Sequence, residues 1–262
     1  MQIKIIILIC LFLFSIFTQC KKDDSPAIVL PKISRIERAG VLIRDFKFSS
    51  DGRLIVEKLY IQGKLSGKSD YFYQNNLISY VLYTSYKWST DGSINTSYKY
   101  KFTYNSSNFL SEVANYKLTN LPDTLETYFS GTKFEYADKR LKKQRWIISD
   151  GRSMMYDEYE YNADGNVSSI KNYSIAQPGT ADILNNETKY VYDKQINPFN
   201  QFPYSGSGFL LSQINQNNLI ETTTYFYENG VIYGQNATLS FACQYNSLGL
   251  PTIVGTENYF YE

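Results

Sequence analysis

Aromatic residues recur at alternate positions along this chain, and short polar turns follow them at near-regular intervals. The unit reads aromatic-x-aromatic, a turn, then a branched apolar stretch. Phe46-Lys47-Phe48 leads through Ser49-Ser50-Asp51-Gly52 to Leu54-Ile55-Val56, and Tyr71-Phe72-Tyr73 leads through Gln74-Asn75-Asn76 to Leu77-Ile78. Phe102-Thr103-Tyr104, Phe134-Glu135-Tyr136, Tyr159-Glu160-Tyr161, Tyr190-Val191-Tyr192 and Tyr225-Phe226-Tyr227 head further copies, and a degenerate last one runs from Phe241 to Ile253. Successive copies start 25, 31, 32, 25, 31 and 35 residues apart, a spacing typical of repeat architectures.

Alternation places Tyr98, Tyr100, Phe102 and Tyr104 on one face of a strand, with Lys99, Lys101 and Thr103 on the other. Asp51-Gly52, Asp164-Gly165 and Asn229-Gly230 supply the positive φ that tight hairpins need. Linking residues such as Ser79 to Tyr86 and Gln144 to Ile148 add further strands. No stretch beyond the N-terminal segment sustains a helical period. The pattern predicts an all-β chain, a sequential antiparallel hairpin meander in which each unit pairs edge to edge with the next in one large curved sheet. Asn172 to Asn186 and Pro198 to Gly208 are expected to be long loops.

Tyr159-Glu160-Tyr161-Asn162-Ala163-Asp164-Gly165-Asn166 resembles the tyrosine-aspartate (YD, or RHS-type) repeat, and Asp51-Gly52-Arg53-Leu54 matches the second half of that motif. Tyr190-Val191-Tyr192-Asp193 with Asn197-Pro198-Phe199 is similar to YD-like lipoproteins of one Gram-negative lineage. The resemblance covers nearly all of residues 35 to 262 and implies a meander that curls toward a porin-like barrel. It implies no activity. The chain has only about eight degenerate copies, and no toxin or protease domain is appended to them, so the shell role of large YD proteins does not carry over.

The first residues form an address rather than a fold. Lys4 precedes an apolar run from Ile5 to Phe17, and Cys20 is followed by Lys21-Lys22-Asp23-Asp24. A positive start and a short apolar core make a secretory signal peptide, too short for the roughly 20 residues of a bilayer span. Phe17-Thr18-Gln19-Cys20 resembles a bacterial lipobox, although Gln19 is larger than the small residue usual there. The resemblance implies a signal peptide over residues 1–19, lipidation of Cys20, and a tether over 20–31 carrying Pro26 and Pro31, followed by a single domain over 32–262. The basic-acidic cluster after Cys20 resembles an export tag of the same lineage, which implies an outer-membrane lipoprotein at the cell surface.

Composition narrows the chemistry. Without residues 1–19 the chain keeps 25 basic and 25 acidic side chains, which argues against a nucleic-acid partner. Histidine is absent, which removes the commonest general base and metal ligand, and with them Ser-His-Asp and Cys-His catalysis. Cys243 remains as a lone thiol, expected to be buried on the aromatic face. No cofactor is expected. Glu160 to Gly165 imitates a calcium loop but ends on Lys171 where a glutamate belongs, so a hairpin turn is expected there. Lys139-Arg140, Lys142-Lys143 and Arg145 are expected on a solvated strand face, and Asp123-Thr124-Leu125 resembles an O-glycosylation acceptor.

The acids point the same way. Asp51, Asp138, Asp164 and Asp193 sit in polar turns, while Glu126, Glu158 and Glu160 alternate with aromatics, the last two opposite the tyrosine face. The expectation is a non-enzymatic domain, anchored to membrane through lipid, that binds a glycan, peptide or protein. Trp88 and Trp146 are the candidate stacking residues. A purely structural envelope scaffold is the alternative, and a carboxylate-based glycoside hydrolase a third reading, because that chemistry needs only two acids.

Mass spectrometry of membrane fractions should find Cys20 acylated, and Cys20→Ala should release the protein from membranes. Membrane retention of that variant would refute the anchor.

Overall fold

The computed structural model describes residues 30–87, 93–119, 125–177, 180–202, 211–235 and 238–262. Cys20, Trp88, Asp123 with Thr124, and Gly206-Ser207-Gly208 lie outside the described residues. Lys32–Glu262 forms one compact unit.

The unit is built of antiparallel strands. The first six are β1 (Ile33–Arg38), β2 (Val41–Phe48), β3 (Leu54–Ile61), β4 (Lys64–Gln74), β5 (Leu77–Tyr86) and β6 (Ile94–Tyr104). Then come β7 (Leu110–Thr119), β8 (Leu125–Ala137), β9 (Arg140–Ile148), β10 (Ser153–Tyr161), β11 (Val167–Ser174) and β12 (Ile183–Ile196). The last six are β13 (Asn217–Glu228), β14 (Val231–Gln235), β15 (Leu239–Ser240), β16 (Cys243–Tyr245), β17 (Pro251–Val254) and β18 (Glu257–Tyr261). The expected loop at 172–186 is therefore shorter than the sequence implies, because β11 runs on to Ser174 and β12 begins at Ile183. Among the described residues, the helical elements are the Pro198–Gln201 3-10 turn and one helical turn, Leu211–Ile214.

Each strand from β1 to β13 pairs with the next, and β1 also pairs with β18. The last gap closes through Leu239–Tyr245. Its first half pairs with β13 and its second half with β17, and Phe241 N–H and Ala242 C=O bond to opposite neighbours, Ile220 and Gly255. The sheet thus returns on itself as a ring, with Leu239–Tyr245 bridging β13 and β17.

The repeat has one local mechanism. Ser49, Asn105, Asn162 and Asn246 each close a five-residue turn, bonding by N–H to the carbonyl four residues on, at Arg53, Phe109, Asn166 and Leu250. Their side-chain oxygens accept the backbone N–H of those same residues. The fourth residue must take positive φ, which Gly52, Asn108, Gly165 and Gly249 do at +83°, +62°, +85° and +74°. Asn75-Asn76 and Asp138-Lys139 make two-residue turns instead, with both residues at positive φ.

A β-bulge follows each turn at the same place, beside the second aromatic of the unit: Phe48 with Leu54, Tyr73 with Ile78, Tyr104 with Leu110, Tyr136 with Leu141, Tyr161 with Val167, Tyr245 with Pro251. The residue after the turn is buried, as at Leu54, Ile78, Leu110, Leu141 and Val167. The bulge leaves a carbonyl free of the ladder, and the tyrosine of the next unit takes it. Tyr73 donates to Leu54 O at 2.7 Å, Tyr161 to Leu141 O at 2.9 Å and Tyr261 to Pro251 O at 2.6 Å.

The copy at Tyr225-Phe226-Tyr227 is out of phase. Phe226 pairs with Asn186 and faces inward, while Tyr225 lies over Lys189 and Tyr227 bonds Glu187 on the outer wall. Its turn, Asn229-Gly230, joins β13 to β14 at the opposite end of the ring from the other turns, because β13 runs the other way.

Leu141→Ala should lower unfolding free energy by about 2–4 kcal/mol, and Tyr161→Phe by about 1 kcal/mol, in urea titrations. A Tyr161→Phe variant as stable as the parent would mean that the Leu141 carbonyl does not need its tyrosine partner.

Candidate functional site

The two walls of the ring differ in chemistry because the strand period is two. Outward positions carry ion pairs from β2 to β11: Lys58 with Asp45, Lys68 with Asp70, Lys99 and Lys101 with Glu126, Arg145 with Glu135, Lys143 with Glu158 and Lys171 with Glu160. The basic cluster of β9 is thus an outer surface, as its alternation implies. Tyrosines also lie there under cations, as Tyr80 beneath Lys99, Tyr116 beneath Lys101 and Tyr156 beneath Lys143. These pairs range from half-buried to exposed, and each contributes on the order of 1 kcal/mol. Their consequence is wetting of the outer wall.

The inner wall holds the core. Ile33, Ile36, Phe46, Tyr71, Val81, Phe102, Val113, Phe134, Tyr159 and Phe202 belong to one buried cluster. Phe202, from the β12–β13 connection, reaches Phe46 and Phe48 with ring centroids 5.1 and 5.7 Å away, and Phe199 meets Tyr259 at 6.0 Å. An asparagine network fixes this connection. Asn215 accepts the Val167 N–H and donates to Tyr192 Oη, Asn166 accepts from Gln216 and Asn217, and Asp193 holds Asn218 and Tyr245. Asp193, expected in a solvated turn, is part of this scaffold. Beside it lies a cavity of about 200 Å³ lined by Tyr192, Leu219, Phe241, Val254 and Tyr259 with Asn197, Asn215 and Asn218. Cys243 shares the face of Phe241 and Tyr245 but is half-buried rather than buried, with its thiol on Phe241 O.

A polar patch occupies the inner wall of β7 to β12. One rung runs Phe134, Gln144, Asp157, Asn172, Asn186, Phe226 across β8 to β13. The next runs Val113, Thr132, Trp146, Met155, Ser174. Trp146 is therefore inward-facing and half-buried, one rung from Asp157. Asn172 donates to Asp157 at 2.9 Å, Asn185 donates to Asn172 and Ser174, and Tyr159 donates to Gln144 at 2.8 Å. Burial pushes the Asp157 carboxyl up to about 6, with the Asn172 bond pulling the other way. Burial likewise pushes the Tyr190 hydroxyl up to about 12.

Sequence reasoning missed the inward acids Asp157 and Glu57. Glu57 accepts from Tyr71 at 3.1 Å and faces Arg44 at 3.7 Å. The signal was available for Asp157, two residues before Tyr159 and so on the tyrosine face. For Glu57 the bulge at β3 disguises it, since Leu54 and Glu57 are both buried at odd separation. Glu158 and Glu160 do lie opposite the tyrosines, and Glu126 is held by two lysines, which keep its carboxyl below its usual range.

Among solved structures, the chain is similar to a porin-like protein from Bacteroides vulgatus, with 10% identity, TM-score 0.51, and 89% of this chain and 99% of that one covered. It is also similar to a porin-like protein from Bacteroides uniformis, with 11% identity, TM-score 0.47, and coverage of 88% and 98%. A Tc holotoxin pore from Photorhabdus luminescens is a fainter likeness, with 13% identity, TM-score 0.22, and 86% of this chain against 13% of that one. At these identities the first likeness shows the fold alone. No family model matches the chain, and neither does any curated protein.

Asp157 is less stable charged in the fold than in the unfolded chain, whose carboxyl keeps its ordinary value near 3.8. Between pH 4 and 6 the folded state binds the extra proton, so stability falls as pH rises through that window. Asp157→Asn should remove this fall and stabilise the protein at pH 7 by about 1–3 kcal/mol, read from thermal midpoints across pH 4 to 7. An unchanged pH profile would show that Asp157 is solvated.

Proposed function

We propose that this chain is a YD-repeat-like, lipid-anchored envelope protein whose ring binds a glycan, peptide or protein on its inner wall without chemical turnover. The observation that carries this reading is the split between the walls. The inner wall combines aromatic plates with amides, hydroxyls and the carboxyls of Glu57 and Asp157, the composition of a binding surface. The outer wall carries charge along strand after strand.

That outer wall also argues against a barrel in lipid. β4 to β8 are 10 to 13 residues long and β12 is 14, so strand length alone would suffice to cross a bilayer. A membrane barrel needs an apolar outer band about 25 Å tall, and ion pairs such as Lys99–Glu126 and Lys171–Glu160 stand where that band would be. The likeness to porin-like proteins is then one of shape, with water outside.

Hydrolysis by carboxylates would need a second acid about 5–10 Å from Asp157. Burial and Asn172 account for the Asp157 shift without another carboxylate, and Glu57 is already held by Arg44 and Tyr71. The scaffold alternative draws on Phe199, Phe202, Leu211 and Ile214, which pack into the core from the β12–β13 connection.

The protein without residues 1–20 should stay monodisperse in detergent-free buffer and return bound ligand chemically unchanged, as followed by light scattering and by mass spectrometry of ligand after incubation. Aggregation relieved only by detergent would refute the wetted outer wall, and cleaved ligand would refute the non-enzymatic reading.

A further inference from the structure

We propose that the inner-wall patch around Trp146 and Asp157 binds a neutral oligosaccharide. The proposal rests on the reading of the ring as a ligand-binding domain and names its ligand class. Among the described residues, two acceptors on this wall lack donors beside an aromatic plate. Asn115, on β7, is 4% exposed, and its amide donates to Ser130 while its Oδ1 has no partner. A buried acceptor left without a donor costs about 1–3 kcal/mol, so the site favours an occupant that donates. Asp157 accepts only from Asn172 through Oδ1, and its Oδ2 takes no hydrogen bond among the described residues. Between these two acceptors stand Thr132 on β8 and Trp146 on β9. From β7 to β10 is three interstrand spacings, about 14 Å, which exceeds a single sugar ring.

Charge selects among donor-bearing ligands. Lys143, Arg145 and Glu158, the charged neighbours of Asp157 on β9 and β10, point outward into ion pairs. On the inner wall Gln144, Asn172, Ser174 and Asn185 surround it instead. A carboxyl with no inward cation repels acidic glycans. An extended peptide brings a carbonyl for every N–H and so adds acceptors to a patch whose open groups, Asn115 Oδ1 and Asp157 Oδ2, are themselves acceptors. A neutral saccharide brings hydroxyl donors along its length and a flat C–H face to lie on the indole of Trp146.

The purified mature protein should be probed on printed arrays of neutral glycans, acidic glycans and peptides, with the best ligand followed by titration calorimetry. Retention of neutral oligosaccharides is expected, weakened about tenfold by Trp146→Ala, held within about threefold by Trp146→Phe, and weakened several-fold by Asp157→Asn. Circular dichroism of each variant separates lost binding from lost fold, and the phenylalanine variant keeps the test valid if the alanine variant unfolds. Retention of acidic glycans or peptides alone, or neutral-glycan binding indifferent to Trp146 and Asp157, would overturn the proposal. Trp146-dependent peptide binding would overturn the sugar assignment while leaving the ligand-binding reading standing. Silence on every array would overturn both.

Discussion

The hydrogen bond from a tyrosine hydroxyl to a bulge carbonyl is the interaction on which the ring depends. A hairpin by itself cannot bury its apolar face, and a bulge by itself leaves a carbonyl without a partner inside a protein. Tyr73 on Leu54, Tyr161 on Leu141 and Tyr261 on Pro251 resolve both problems in one contact. The same side chain covers the branched residue of the preceding hairpin and satisfies its backbone. Each unit is therefore completed by the next, which favours a continuous series over isolated hairpins.

A series of such units must still end somewhere. It ends on itself, because Leu239–Tyr245 changes partner midway from β13 to β17. The repeat is degenerate where this happens: Tyr225 and Tyr227 face outward and the closing strands are only two to five residues long. Regular units would have continued the sheet. Irregular ones allow the chain to bend back, and Phe199 and Phe202 pack there against β18 and β2, with Leu211 and Ile214 also against the core.

Closure gives the alternation of every strand a common meaning. Inward positions share one enclosed environment and outward positions share water, so a single charged residue on the wrong side is conspicuous. Asp157 is such a residue. Its raised proton affinity and half-satisfied carboxyl are costs that the fold bears at a place where aromatic and amide groups converge, and the proposed ligand wall rests on that convergence.

The sequence by itself determined the hairpins. Asn162 to Gly165 requires a turn, Tyr159 and Tyr161 require a common face, and both follow from φ preferences and a period of two, which are local. It determined equally that Glu158 and Glu160 face away from the tyrosines. The tertiary structure decided the rest. Whether the sheet closes depends on how β13, β15 and β17 meet, contacts between residues far apart in the chain that no local pattern encodes. The inward placement of Glu57 depends on a bulge that shifts phase within β3, and the company of Asp157, Asn172, Asn185 and Trp146 depends on register across four strands. Turn chemistry is written residue by residue, whereas register and closure are properties of the whole ring.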